Sequence, residues 1–142
     1  GEKIEIGSFV KIKSNFVGSY IHAGNKIATL VGLSESFEGC GEVAKNIAMQ
    51  AAAMNPIALD ENGVSKEVIE KEIEIAKEQL RSEGKPENML ENIAKGKLKK
   101  FFKENTLINQ TYIKDNKISV INYLHSINQN CSISDFKRIS LV

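Results

Sequence analysis

Several features that mark specialised protein classes are scarce in this chain of 142 residues. No apolar run approaches the roughly 18 residues that a membrane-spanning helix needs. Lys and Arg total 19 and Asp and Glu total 18, so the formal net charge is +1. A charge so near zero disfavours bulk electrostatic binding to nucleic acid or to a membrane surface. The 42% hydrophobic and 26% charged residues are typical of a globular protein and make intrinsic disorder unexpected.

Cysteines and export signals are scarce as well. Cys40 and Cys131 lie far apart, and no C-x-x-C motif or Cys/His cluster accompanies them. The sequence therefore predicts no disulfide framework and a reducing, cytosolic compartment. The charged residues 1–5 are unlike a signal peptide. Because the sequence has no initiator Met, we expect it to be a piece of a longer protein.

Residues suited to catalysis or metal binding are few. The sequence contains no G-x-S-x-G, Walker A or Rossmann glycine pattern. Its two histidines, His22 and His125, have no acidic residue at metal-ligand spacing. Cys40 follows Gly39 and precedes Gly41, and no nearby base activates it, so a flexible helix entry is the favoured interpretation. We therefore expect no enzyme activity, no metal site and no other cofactor.

The first quarter of the chain predicts an antiparallel sheet. Residues 9–14 alternate apolar and polar side chains, as a half-buried strand does. Residues 17–22 and 26–33 are two further strand-like runs. Gly24 and Asn25 lie between them, and this pair is typical of a hairpin turn. We interpret the whole segment as three antiparallel strands.

The middle of the chain predicts three helices. The first has a small apolar face and stops at Asn55-Pro56. Ser65 is the predicted N-cap of the second helix and Gly84 the residue just past its end, and Pro86 is the predicted first residue of the third helix. Because their link is short, these two helices must form an antiparallel hairpin. The apolar positions of the three helices are Ala44, Ile47, Ala48 and Ala51; Ile69, Ile73, Ala76 and Leu80; and Leu90, Ile93 or Ala94, Leu98 and Phe101.

The end of the chain predicts a return to compact structure. Asp115-Asn116 is turn-like, Ser119 precedes a short helix, and residues 131–141 resemble a last strand. The predicted fold class is α+β: a three- to four-stranded antiparallel sheet packed with helices, with an inserted coiled-coil-like helical hairpin. The predicted domains are an α+β core half, the inserted hairpin and the return to the core, at residues 1–59, 60–112 and 113–142.

Two features are candidates for contact with a partner. His22 stands beside a predicted hairpin tip, where loop residues on a rigid base often carry function. From the residues alone, a plain surface or turn position is the favoured interpretation. A lysine cluster in the third helix suggests RNA or an acidic partner, although lysines also complement the C-terminal dipole of a helix. Its members are Lys95, Lys97, Lys99, Lys100 and Lys103.

Particular strings resemble the translation elongation factor Ts family. They follow the family's order and span most of the chain between residues 18 and 115, at residues 18–27, 44–56, 67–88, 96–102 and 110–115. The resemblance implies a guanine nucleotide exchange factor that binds elongation factor Tu and favours its nucleotide-free conformation, which weakens GDP binding. It also implies the C-terminal half of the family's core with its hairpin, and a bacterial cytosolic or organellar location.

The resemblance also assigns roles to residues. It implies partner contacts at the tip of the predicted β-hairpin, from Tyr20, His22, Gly24 and Lys26. It implies that the stripe residues of the helical hairpin primarily pack against each other and secondarily contact a second copy of the chain in a homodimer. The stripe residues in question are Ile69, Ile73, Leu80 and Leu98.

The chain also departs from the family pattern. Lys26 stands where Arg is common, and its ammonium is a point charge without the bidentate geometry of a guanidinium; Thr111 stands where the family has Pro. We expect the N-terminal helical domain and the first core half, with its Thr-Asp-Phe motif, to be missing. This piece would then supply partner binding rather than the Asp-Phe wedge. The alternative is an RNA- or ribosome-associated protein that uses the lysine cluster.

Overall fold

The computed structural model describes residues 10–22 and 24–141, which contain four α-helices, a three-stranded sheet and a two-stranded sheet. The predicted α+β fold class is confirmed. A short 3₁₀ helix, Glu61–Gly63, precedes the second α-helix. In chain order the other elements are β1 (Phe16–His22), β2 (Ile27–Leu33), α1 (Cys40–Met54), α2 (Lys66–Ser82), α3 (Glu87–Asn105), β3 (Thr111–Tyr112), β4 (Asp115–Ser119), α4 (Val120–Ile127) and β5 (Ile133–Ser140).

The chain divides into two compact units. The core unit comprises Gly1–Asn55 and Ile121–Val142, and the hairpin unit comprises Pro56–Val120. Helices α2 and α3 lie in the hairpin unit, whereas β1, β2, α1 and β5 lie in the core unit. The division into segments at residues 59 and 112 stays a prediction.

The sheet of the core unit has the order β1-β2-β5, and both pairings are antiparallel. Its central strand, β2, pairs with β1 from His22↔Ile27 to Phe16↔Leu33. The partner on its other side is β5, from the far end of the chain. The sheet therefore joins strands that lie more than 90 residues apart in the sequence.

The predicted strand at residues 9–14 is wrong for the part that the structure describes. The described residues 10–15 form no strand, and Phe9 lies outside the described residues. The Ser14 hydroxyl instead donates to the Leu33 carbonyl at 2.6 Å and lies 2.6 Å from the Ser134 hydroxyl. The segment is thus held by side-chain hydrogen bonds rather than by a backbone ladder, and alternation of apolar residues does not distinguish the two.

Helix α1 packs on the sheet through the small apolar face that the sequence predicts. Ala44, Ile47, Ala48 and Ala51 are each 0% exposed. Gly18 in β1 allows the close approach, because a Cβ there would lie 2.5 Å from the Cβ of Ala44. The helix ends at Asn55 as predicted, in the left-handed conformation with φ of 45°.

The hairpin unit contains the two predicted antiparallel helices. The Ser65 side chain accepts the Val68 N–H at 3.3 Å, which confirms the predicted N-cap. Gly84 has φ of 76°, as expected of a residue just past a helix end. Pro86 is the N-cap of α3 rather than its first residue, so the helix begins one position later than predicted, at Glu87.

The segment after the hairpin differs from prediction at one turn. Tyr112 pairs with Asp115, so the turn residues are Ile113 and Lys114. Asp115 and Asn116 begin β4 instead of forming the turn. The Asp115 carboxylate accepts the Lys117 N–H at 3.1 Å, and this local hydrogen bond shows how a turn-favouring residue is accommodated in a strand. Helix α4 and β5 lie where the sequence predicts them.

Candidate partner-binding site

The four predicted partner contacts lie at one end of the β1–β2 hairpin. Gly24 and Asn25 have φ of 65° and 67°, so both adopt the left-handed conformation that a tight turn needs. The Lys26 N–H donates to the His22 carbonyl at 3.2 Å and closes the loop. The Leu141 N–H donates to the Lys26 carbonyl at 2.8 Å, so the end of β5 also supports this loop.

Tyr20 and His22 form a side-chain pair next to this loop. They alternate with exposed residues along β1 and are both half-buried. The Tyr20 hydroxyl oxygen lies 3.1 Å from His22 Nδ1, and the two ring centroids are 5.6 Å apart with planes at 40°. Two of the four predicted residues therefore form one unit.

Lys26 is exposed, and its ammonium makes no ion pair or hydrogen bond with the described residues. Gly24 has open space around the position of a Cβ, so its φ rather than crowding favours glycine. The Lys26 ammonium, unpaired within the part of the chain that the structure describes, therefore lies near the Tyr20–His22 pair.

Exposed apolar side chains flank the loop, and the sequence analysis missed them. Ile21 is 62% exposed and Leu141 is 77% exposed. Ile21 lies between Tyr20 and His22 in β1, so its side chain points to the opposite face of the sheet. The period of two in a strand, applied to the predicted run at residues 17–22, would have placed Ile21 on the face opposite Tyr20 and His22.

The predicted hairpin stripe is buried to different depths. Leu80 is 2% exposed, whereas Ile69, Ile73 and Leu98 are half-buried. The other fully buried positions of the stripe are Ala76, Leu90 and Ala94. The structure thus supports internal packing of the helices, and contact of these residues with a second copy stays a prediction.

Ion pairs join the two helices along one side of the hairpin. Lys77 Nζ lies 2.7 Å from a Glu91 carboxylate oxygen. The Arg81 guanidinium lies 2.9 Å from Glu87. The hydrogen bond from Arg81 lowers the pKa of Glu87, and the hydrogen bond from Lys77 lowers the pKa of Glu91. Lys77 is half-buried and the other three side chains are exposed, so solvent screens both pairs and each contributes little individually.

The other side of the hairpin has a small cleft. Its volume is about 110 Å³, and Ile75, Leu98 and Phe101 provide apolar lining. Ile75 is 48% exposed. A shallow groove of about 410 Å³ shares Gln79, Lys97 and Phe101 with this cleft, and both are open to solvent, unlike the enclosed pockets that bury most of a ligand's surface.

Two of the five lysines in the α3 cluster have a polar partner among the described residues. Lys97 donates to the Gln79 side chain at 2.9 Å, and Lys100 lies 3.8 Å from Glu104. Lys95, Lys99 and Lys103 are exposed, and no ion pair within residues 10–22 and 24–141 involves them. Their four-residue spacing places these three ammonium groups along one ridge of the helix.

The remaining candidate residues have structural positions. His125 Nε2 lies 3.1 Å from the Cys131 carbonyl oxygen. Cys40 and Cys131 are buried free thiols, and Cys40 is the first residue of α1. The described part of the chain has no group of three or more His, Cys, Asp or Glu residues arranged for a metal ion. None of its helices combines the length and apolar character that crossing a membrane requires.

Comparison with known proteins decides the family. The family model described as Elongation factor TS matches residues 1–141. The chain belongs to the elongation factor Ts family. The resemblance found in the sequence strings is therefore confirmed over almost the whole chain.

Three relatives named Elongation factor Ts show the extent of the similarity. The chain is 61% identical over 141 residues to the one from Christiangramia forsetii, covering 99% of this chain and 52% of that protein. It is 62% identical over 141 residues to the one from Flavobacterium psychrophilum, with the same coverage of 99% and 52%. For Amoebophilus asiaticus the identity is 49% over 140 residues, covering 98% and 50%. The chain thus spans about half the length of these elongation factor Ts proteins.

Proposed function

We propose that this chain binds elongation factor Tu and contributes to guanine nucleotide exchange, supplying partner binding rather than the Asp-Phe wedge. The observation that carries the proposal is the family match over residues 1–141. The β1–β2 turn supports this role. The Tyr20–His22 pair lies beside it on one face of β1, Ile21 is exposed on the other face, and the Lys26 ammonium has no partner among the described residues.

The proposed mechanism is a linkage between two binding equilibria and involves no covalent chemistry, so the chain acts as a non-enzyme. A factor that binds the nucleotide-free form of elongation factor Tu more tightly than the GDP-bound form must weaken GDP binding by the same ratio. Couplings of this kind are typically about 5- to 150-fold. The residues of the loop have only to discriminate between the two conformations of the partner.

The described residues at the β1–β2 turn suit such discrimination because backbone hydrogen bonds hold them to neighbouring strands. Backbone hydrogen bonds hold Lys26 on both sides, through its N–H to His22 and its carbonyl to Leu141. A contact surface that is already ordered loses little conformational entropy on association. We therefore assign partner binding to the region of the β1–β2 hairpin that carries Tyr20, His22, Gly24 and Lys26.

Release of a fluorescent GDP analogue from elongation factor Tu tests the proposal. We expect the chain to bind the partner weakly and to accelerate release far less than a full-length relative does. Release as fast as with the full-length relative would contradict the assignment of binding alone. Absence of any binding would contradict the proposed partner.

A second candidate function rests on the ridge of Lys95, Lys99 and Lys103, which lacks ion pairs among the described residues. RNA binding by this ridge predicts an affinity that falls steeply with salt. Reversing these three charges would then abolish RNA binding, whereas His22→Ala would leave it unchanged. If instead His22→Ala abolishes binding to elongation factor Tu and reversal of the three lysine charges leaves it unchanged, the first proposal is favoured.

We further propose a cytoplasmic location and a homodimer formed through the hairpin. The half-buried Ile69, Ile73 and Leu98 and the exposed Ile75 beside the cleft leave apolar surface on the hairpin. Sedimentation equilibrium tests the homodimer. A mass that rises with concentration, and that falls to the monomer value in Ile75→Glu, supports it, whereas a constant monomer mass contradicts it.

A further inference from the structure

The contact between Tyr20 and His22 distinguishes the two nitrogens of the imidazole ring. The Tyr20 hydroxyl oxygen lies 3.1 Å from Nδ1 of His22, the ring nitrogen nearer the backbone. The other ring nitrogen, Nε2, has no hydrogen-bond partner among the described residues. The two nitrogens of this half-buried imidazole therefore differ, because Tyr20 contacts Nδ1 and not Nε2.

We propose that Tyr20 is a positioning residue that acts through His22. Its hydroxyl donates to Nδ1, holds the neutral imidazole as the tautomer with hydrogen on Nε2, and so directs an N–H donor toward an oxygen acceptor of the partner. The inference rests on the proposed binding of elongation factor Tu. It assigns Tyr20 an indirect role, whereas the resemblance implies only that Tyr20 contacts the partner.

The direction of the hydrogen bond follows from the chemistry of the two groups. A neutral imidazole has one nitrogen that accepts and one that donates. The hydrogen bond made by one ring nitrogen fixes which nitrogen carries the proton. The phenol oxygen of Tyr20 is a poor acceptor because its lone pair is delocalised into the ring, whereas its O–H is a good donor. Donation from Tyr20 to Nδ1 therefore leaves the proton on Nε2 of His22.

The backbone fixes the distance between the two side chains. Tyr20 and His22 are two positions apart in β1, so they project from the same face of the strand. Both pair directly with β2, as Tyr20↔Thr29 and His22↔Ile27. The Thr29 hydroxyl in turn donates to the Ala48 carbonyl at 2.7 Å, which ties this part of the sheet to α1. The hydrogen-bonded geometry thus exists before any partner binds.

A nitrogen-15 NMR spectrum of the imidazole rings tests the tautomer directly. The chain has two histidines, and a His125→Gln variant assigns their signals. We expect Nε2 of His22 to carry the proton in the unmodified chain, and Tyr20→Phe to give a mixture of tautomers. Tyr123→Phe is the matched control, because it removes a hydroxyl that accepts from Asn46 on α1 and leaves the His22 signals unchanged. A proton on Nδ1 in the unmodified chain would overturn the proposal.

A double-mutant cycle on elongation factor Tu affinity tests whether Tyr20 acts through His22. We expect Tyr20→Phe to weaken binding about five- to tenfold, as loss of one well-placed hydrogen bond does. In a His22→Ala background the same change should have no further effect. If the two substitutions instead reduce the affinity by independent factors that multiply in the double variant, Tyr20 contacts the partner independently of His22. That result would overturn the inference.

The two measurements also separate this inference from the proposed function. If the unmodified chain does not bind elongation factor Tu, the proposed function fails. The imidazole spectrum still decides the tautomer in that case. Nε2 protonation that depends on Tyr20 would support the positioning role, and protonation that is indifferent to Tyr20→Phe would contradict it.

Discussion

The core unit and the hairpin unit are stabilised in different ways. In the core unit, α1 lies against the sheet through a face that is entirely buried, and Gly18 makes that close contact possible. In the hairpin unit, α2 and α3 share a narrow buried strip and are joined at the surface by exposed ion pairs. We therefore expect the core unit to be destabilised most by substitutions that add atoms between α1 and the sheet. We expect the hairpin unit to be destabilised most by substitutions that remove buried apolar atoms.

Leu80→Ala should have the largest effect on the hairpin. Leu80 is 2% exposed in a strip with few buried residues, so the substitution should lower the free energy of unfolding by about 3 kcal/mol. Hydrogen exchange should rise in α2 and α3 and stay unchanged in α1. Met89→Ala is the control, because Met89 is 49% exposed and its truncation should change stability by less than about 0.5 kcal/mol. Equal losses for both variants would contradict a distinct buried strip.

Gly→Ala substitutions should have opposite signs in the two units. Gly18→Ala places a Cβ 2.5 Å from Ala44, so it should destabilise the core unit by about 2 kcal/mol. Gly96→Ala meets no atom within 4 Å and lies within α3, so it should stabilise the hairpin by about 0.5–1 kcal/mol. Urea denaturation of both variants measures the two changes. The same sign for both would remove the contrast between the units.

Acid should weaken the hairpin by a small amount. The pKa values of Glu87 and Glu91 lie below their ordinary value of 4.5 in the folded hairpin. A lowered folded pKa means that the ion pairs stabilise the hairpin above the unfolded pKa, and that this stabilisation is lost as the pH falls through the folded pKa. Thermal unfolding followed between about pH 5 and about pH 3 should show the loss.

The control for the acid effect is the double variant Glu87→Gln and Glu91→Gln. It lacks both titrating carboxylates, so its unfolding temperature should depend less on pH over the same interval than that of the unmodified chain. An identical pH dependence in the two proteins would show that other carboxylates cause the effect.

The helices were predictable because their information is local. The stripe through Ile69 and Leu80 has the helical period, and the cap at Ser65 and the break at Gly84 need only neighbouring residues. The strand at residues 9–14 was wrong because alternation reports one covered face and says nothing about pairing. The true third strand, β5, pairs with β2 across most of the chain, and no local pattern carries that information.

The backbone of the candidate site could be predicted from local sequence, as the helices could, but its side-chain contacts could not. The i, i+2 spacing placed Tyr20 and His22 on one side of a strand, and Gly24-Asn25 marked the turn. Their roles as partner contacts came from the family resemblance, and they remain predictions. The hydrogen bond to Nδ1 and the exposure of Leu141 depend on side-chain conformation and on where β5 ends, so the sequence alone did not reveal them.

We propose that this chain distinguishes between conformations of elongation factor Tu. Isothermal titration calorimetry with the nucleotide-free and the GDP-bound partner measures this property directly. We expect tighter binding to the nucleotide-free form, by at least about fivefold, and a loss of that affinity in His22→Ala. Equal affinity for the two forms, or full affinity in His22→Ala, would contradict it.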